Sequence, residues 1–264
     1  MFVDSHCHLS FPELAERIDD IRADMAAASV DRALCICTTL EEFDRVHALA
    51  SAYDNFWCSA GVHPDNEGVR EPEVADLVAL AARPRVVAIG ETGLDYYRLN
   101  GRSVADMEWQ RNRFRVHIEA ARGTGLPLVI HTRSASEDTL AILREAGDGR
   151  CTGVFHCFTE TLQVARAALD LGFYISFSGI VTFKSASELH EVARYVPLDR
   201  CLIETDSPYL APVPFRGRTN SPALVPYVAR QLATLKGESV ELIAALTSAN
   251  FDRLFPVGQS SELT

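Results

Sequence analysis

Eight short apolar runs, most of them followed by a stretch of helical periodicity, limit this chain more than any other feature of its sequence. The runs are FVDSHCHL (2–9), RALCICT (32–38), FWCSAGVH (56–63), VVAIGET (86–92), PLVIHT (127–132), GVFHCF (153–158), FYISFS (173–178) and CLIETD (201–206). Between them lie segments such as LAERIDDIRADMAAA, EEFDRVHALASA and VADMEWQRNRFRVHIEAAR; PALVPYVARQLATLK and VELIAALTSANFDRLF follow the eighth run. Their apolar spacing is that of helices covering a core. Strands alternating with helices along 264 residues predict an α/β fold, a (β/α)8 barrel spanning residues 1–264 as one domain. A doubly wound open sheet is the alternative. Its nucleotide-binding forms carry G-x-G-x-x-G or G-x-x-x-x-G-K-[ST], and neither motif occurs.

Composition narrows the function classes. An apolar content of 47% supplies ample core. No apolar run approaches the ~18 residues of a membrane span. Asp4 and two histidines stand where a leader would carry basic residues and a long apolar stretch, so a cytoplasmic location is the default expectation, with no membrane partner. No obligate protein partner is evident. The seven cysteines are odd in number and form no C-x-x-C pair, which points to small core residues and away from a disulfide framework or zinc knuckle. A net charge of −11 argues against a protein that coats duplex DNA. It leaves room for an enzyme that grips a few phosphates at short or single-stranded ends.

In such barrels the functional groups sit at the C-terminal ends of the strands. Strand alternation puts Asp4, His6 and His8 on one face of the first run, with the two imidazoles about 7 Å apart along the strand. Taken alone, a His-x-His pair could equally be core histidines bonded to carbonyls. His63 ends the third run, Glu91 the fourth and Asp206 the eighth; His131 and His156 lie in the fifth and sixth. His47, His117 and His190 fall on helices and are expected to pack or be solvated. The strand-end set is therefore His6, His8, Glu91, His131, His156 and Asp206. Six ligands exceed the three or four of one zinc ion and fit two divalent cations with a carboxylate between them. Imidazole with carboxylate suits Zn, Mn, Ni or Co, and Mg less well. Cys7 and Cys157 neighbour these histidines but should point to the opposite strand face, under the helices.

Candidate phosphate-facing groups are Arg133 after the fifth run, Lys184 after the seventh, and Arg216, Arg218 and Asn220 in the loop after the eighth. Barrel enzymes often bind phosphate at these last loops, and arginine forks match phosphate oxygens. Asp95, Tyr96 and Tyr97 could line the cleft, or Asp95 could pair with an arginine.

The stretches DSHCHL, GVHP, GETGLDYY, IHTR, HCF, SFSGIVTFK and ETDSPYLAP, in that order, resemble the TatD family of metal-dependent deoxyribonucleases from residue 2 to about 255. The resemblance implies a TIM barrel of the metal-dependent hydrolase (amidohydrolase-like) type, two metal ions, and phosphodiester hydrolysis, usually as a 3′→5′ exodeoxyribonuclease acting on DNA ends. By motif position it implies that His6, His8, Glu91 and Asp206 hold one metal and that Glu91, His131 and His156 hold the other. It also places His63 toward the substrate phosphate. Asp206 is then a candidate base, and His63 and Arg133 stabilise charge in the transition state. Some members lack the His-x-His that this chain keeps; the loop RGRTN departs from the usual RGK-x-N, which touches substrate grip more than chemistry. An amidohydrolase-like esterase or amidase, such as a D-aminoacyl-tRNA deacylase, is the alternative function. A non-catalytic metal-storing barrel is a further one.

Overall fold

Each apolar run forms a strand: β1 (Phe2–Cys7), β2 (Val30–Cys35), β3 (Phe56–Ala60), β4 (Val86–Asp95), β5 (Leu128–Arg133), β6 (Gly153–Phe155), β7 (Tyr174–Phe177) and β8 (Cys201–Ile203). In this computed structural model, which describes residues 1–258, the strands pair in parallel and in chain order. The last six residues of the expected domain lie outside the described residues. Helices connect most consecutive strands, so the architecture is the (β/α)8 barrel that the alternation predicts.

Two hydrophobic layers follow from the period-2 strand pattern. Leu128, Ile130, Phe155, Ile175 and Ile203 face helical residues such as Phe114 and Val228. Val3, Leu34, Trp57, Val87, Val129, Val154, Tyr174 and Leu202 form a separate cluster with Phe251, Leu254 and Phe255 from the C-terminal helix Val240–Leu254 and its cap. Phe251 and Phe255 are fully buried, each contributing about 2–3 kcal/mol of hydrophobic stabilisation. No helix among the described residues is long and apolar enough to cross a membrane.

The seam between β1 and β8 closes beyond the last residue of β8. The amide of Asp206 donates to His6 O (3.0 Å), and that of His8 donates to Ser207 O (2.8 Å). The Asp4 carboxylate accepts from the Thr205 amide (2.9 Å) and hydroxyl (2.5 Å). Closing the barrel thus fixes the Thr205–Ser207 segment against the His-x-His segment. The β1–β2 ladder also shifts register between Asp4 and Cys7, which breaks the expected alternation. His6 and His8 converge, while Asp4 is spent on the seam.

Several strands stop two or three residues before their apolar runs end, notably β3, β6 and β8. His63, His156 and Asp206 therefore lie just past the ladder, where the chain no longer alternates faces. Asp206 (φ +57°) and Cys157 (φ +42°) adopt left-handed backbone conformations there.

Candidate metal centre

Glu91 is the hub. It is 2% exposed at the middle of β4, in the run GETG. Gly93 (φ +131°) lies so close to β5 that an added Cβ would sit 2.0 Å from His131 O, so glycine is what lets β4 press onto the strand carrying His131. Glu91 Oε2 lies 3.3 Å from His6 Nε2 and 3.9 Å from His8 Nε2. Its other oxygen, Oε1, lies 3.3 Å from His63 Nε2, 3.3 Å from His131 Nδ1 and 2.8 Å from His156 Nε2. Asp206 Oδ1 completes the first side, 3.5 Å from His6 Nε2 and 3.3 Å from His8 Nε2. The six strand-end residues named from the sequence are thus brought to one place, with His63 in the same ring. His6 and His156 stack with ring centroids 3.8 Å apart.

The donor set suits a divalent cation. His6, His156 and Asp206, then His6, His8 and Glu91, then His63, Glu91 and His131 each offer atoms within 4.8 Å of one another. His156 Nε2 is buried and lies 2.8 Å from Glu91 Oε1 without the alignment of a regular hydrogen bond, which leaves this nitrogen available to a cation. Burial alone would raise the Glu91 carboxyl, but the imidazoles of His156, His63 and His6 hold it well below the usual carboxylate range. Burial opposes ionisation of Asp206 too, but the bond to His8 and the charges of His6, His156 and His8 together hold its carboxyl below the usual range. Burial lowers His6 and His63; for His156 the carboxylates of Glu91 and Glu204 overcome burial and raise it well above 6.5. His8 and His131 are also shifted up, so ionised carboxylates lie among three imidazoles that favour a proton, and a cation can replace those protons.

Two carboxylates that the sequence reading did not assign as orienting groups set the direction of these ligands. Asp95 Oδ2 lies 3.0 Å from His131 Nε2, leaving Nδ1 to face Glu91. Of the two alternatives that the sequence leaves for Asp95, lining the cleft or pairing with an arginine, neither describes its main contact, which is with a histidine. Glu204 Oε1 lies 3.3 Å from His156 Nδ1, and Glu204 is fully buried with its other oxygen unpartnered. Such outer carboxylates select the tautomer and ring orientation of a ligating histidine. The only hint in the sequence was position: Asp95 is four residues past Glu91, and Glu204 two before Asp206.

A cavity of about 730 Å³ opens over this centre, lined by His8, His63, Glu91, His131, His156 and Asp206. Arg133 also lines it, whereas Lys184, Arg216 and Arg218 are exposed residues outside its lining. The Arg216 guanidinium instead lies 4.2 Å over the Phe183 ring. Asn220, expected to be presented to substrate, is fully buried: its amide donates to Thr205 O (2.9 Å) and Tyr209 O (2.7 Å), pinning the loop. Cys157, expected under the helices, lines the cavity with Sγ 3.1 Å from Ser178 Oγ, because it lies past the end of β6 and outside the alternation. Cys7 does pack in the core. Tyr96 turns away to donate to Asp138 (2.7 Å), and only Tyr97 remains exposed.

His63 is held from behind. Arg113 and His117 project from one face of the helix Glu108–Thr124. Arg113 Nη1 donates to His63 O and Asn66 O, both at 2.8 Å. The Val62 amide donates to His117 Nε2 (2.9 Å). His117, expected to pack or be solvated, packs and also holds the loop.

Comparison with known proteins identifies the family. The family model for TatD related DNase matches residues 3–256. The chain is 50% identical over 262 residues to the metal-dependent hydrolase YcfH of Escherichia coli (strain K12), covering 98% of this chain and 97% of that protein. It is 34% identical over 256 residues to the 3′-5′ ssDNA/RNA exonuclease TatD of Salmonella typhimurium, covering 95% and 97%. The crystal structure of YjjV, a TatD homolog from Escherichia coli K12, superposes with a TM-score of 0.89 at 29% identity, covering 97% of this chain and 98% of that one. The chain belongs to the TatD-related DNase family and is a metal-dependent hydrolase.

Proposed function

We propose that this hydrolase binds two divalent cations and cleaves phosphodiester bonds at the 3′ ends of nucleic acids, preferring short or single-stranded DNA. One observation carries the reading: the two oxygens of Glu91 face separate ligand sets, Oε2 toward His6 and Oε1 toward His131 and His156. A carboxylate placed in this way suits bridging of a pair of cations. Lysine, which bridges metals in carboxylated form in many amidohydrolase relatives, does not precede His131 at the end of β5. The exonuclease named among the relatives supports nucleic acid as substrate.

Bound cations supply Lewis acidity and a water of lowered pKa. The protein's own residues do the rest. Asp206 is ionised and 15% exposed at its side chain, so it can accept a proton from an attacking water. His63, whose Nδ1 accepts from the Asp65 amide (3.0 Å), presents Nε2 to the cavity and donates to a phosphate oxygen there. Arg133 lines the outer wall and faces the next phosphate along the chain. Asp95 and Glu204 keep His131 and His156 in their ligating orientations.

The test is a substrate panel of 3′-ended single-stranded DNA, an aryl phosphodiester and D-aminoacyl-tRNA, run with Mg, Mn and Zn after chelation and reloading. Metal analysis accompanies it. Two equivalents of metal with turnover of the DNA support the reading. Turnover of the aminoacyl ester alone would replace it with a deacylase, and metal uptake without any turnover would leave a storage protein.

A further inference from the structure

Two exposed tyrosines lie near the metal cavity, and the backbone amide of each bonds to an acidic residue of the site, Tyr209 to the Asp206 carbonyl and Tyr97 to the Asp95 carboxylate. Tyr209 is 53% exposed and lines the cavity. Its amide donates to Asp206 O (3.0 Å), and its carbonyl accepts from the buried Asn220 amide. Its ring is braced edge-on by Phe11 (centroids 6.3 Å apart), which itself stacks on His8 at 4.8 Å. Tyr97 lies outside the cavity lining but against Arg133, which is part of it; Tyr97 is 58% exposed, and its amide donates to Asp95 Oδ1 (2.8 Å), the carboxylate that holds His131. The Arg133 guanidinium lies 3.6 Å over the Tyr97 ring. Exposed apolar rings scattered singly need no explanation. These two have fixed backbones and lie close in sequence to the site, Tyr209 three residues past Asp206 and Tyr97 two past Asp95.

Charge sharpens the point. A chain of net charge −11 cannot hold a polyanion by a broad basic surface, and Lys184, Arg216 and Arg218 lie outside the cavity lining. Stacking of bases on aromatic rings is short-ranged, insensitive to base identity and independent of net charge. It requires unpaired bases, which a duplex does not offer.

We propose that Tyr209, and Tyr97 together with Arg133, are stacking platforms for the bases of a single-stranded nucleic-acid end whose scissile phosphate lies over Glu91. This deepens the nuclease reading above and rests on it. Tyr209 takes the base on the β1–β8 side of the cavity, and Tyr97 with Arg133 takes its neighbour on the β4–β5 side. The bases are held by their faces, so the site selects for single strands and tolerates any sequence.

The experiment uses the metal-loaded full-length protein and single-stranded oligonucleotides of two kinds, one with ordinary bases and one with abasic 3′-terminal nucleotides that keep every phosphate. Binding is read separately, by quenching of a 3′-terminal 2-aminopurine in an oligonucleotide whose phosphorothioate linkages slow cleavage. Wild type should favour the base-bearing end about tenfold or more in KM. The double variant Tyr97→Ala/Tyr209→Ala should lose that preference and the quenching, leave the abasic substrate unchanged, and regain both as Tyr97→Phe/Tyr209→Phe. Equal binding of both ends by wild type, or undiminished quenching by the alanine variant, overturns the stacking proposal and leaves the nuclease reading standing. Quenching without cleavage of either oligonucleotide keeps the platforms and overturns the nuclease reading. Neither quenching nor cleavage overturns both.

Discussion

His117 couples the helical shell to the candidate centre, and its removal makes a quantitative prediction. The side chain is fully buried, and the hydrogen-bond pattern dictates its protonation: Nε2 must accept from the Val62 amide, so the ring proton sits on Nδ1 and is donated to Arg113 O (2.8 Å). Burial lowers its pKa to about 4 from 6.5. The unfolded chain therefore takes up a proton before the folded one as the pH falls. Stability that depends on the neutral ring is present above about pH 6.5 and is lost as the pH drops toward 4. The full difference corresponds to about 3 kcal/mol, of which about 2 kcal/mol is gone by pH 5. His117→Gln keeps an acceptor for Val62 but does not titrate. At pH 7.5 the variant should be less stable than wild type by about 1–3 kcal/mol, from a poorer bond and lost packing. By pH 5 that gap should shrink by about 2 kcal/mol or reverse. Urea unfolding of chelator-treated wild type and variant at both pH values measures it, and groups shared by the two proteins cancel in the comparison. A gap that is the same at both pH values, or a His117 NMR resonance titrating near 6.5, would falsify the assignment of a neutral, buried ring.

The metal centre can be probed in four further ways. Glu204→Gln removes the charge behind His156 and should weaken metal affinity about 10–100-fold with little change in far-UV circular dichroism, measured by metal titration; unaltered affinity would show that Glu204 does not act through His156. Glu91→Gln should abolish turnover and lower bound metal while the barrel persists, since the residue lies at the cavity floor and not in the apolar layers; full metal content with normal kcat would remove Glu91 from the centre. Chelation should lower the melting temperature by about 5 °C or more, because metal at about 100 times its Kd adds about 2.7 kcal/mol to the folded state. Identical melting curves with and without chelator would mean that no cation is held. Activity should decline between about pH 7 and 5 as the imidazoles gain protons and release metal; a flat profile over that range is incompatible with histidine ligation.

The order of strands and helices was legible because hydrophobic period reports regular elements, and eight alternations in 264 residues leave few closed arrangements. The positions of His6, His8, His63, Glu91, His131, His156 and Asp206 at strand ends were legible for the same reason. Side-chain direction was not. Period-2 reasoning holds only inside a regular ladder; β1 shifts register beside His6, β4 shifts register across Glu91, and Cys157 and Asp206 lie past their strands and turn left-handed. Only the closed barrel determined that Asp4 would serve the seam, that Cys157 would face the cavity and that Asn220 would be consumed inside its loop. Likewise, the bonds from Asp95 to His131, Glu204 to His156 and His117 to Val62 join residues 36, 48 and 55 positions apart. No local pattern encodes such pairs. They exist because closing eight strands brings separate chain ends to one mouth, and because a buried imidazole must find a partner for each nitrogen there.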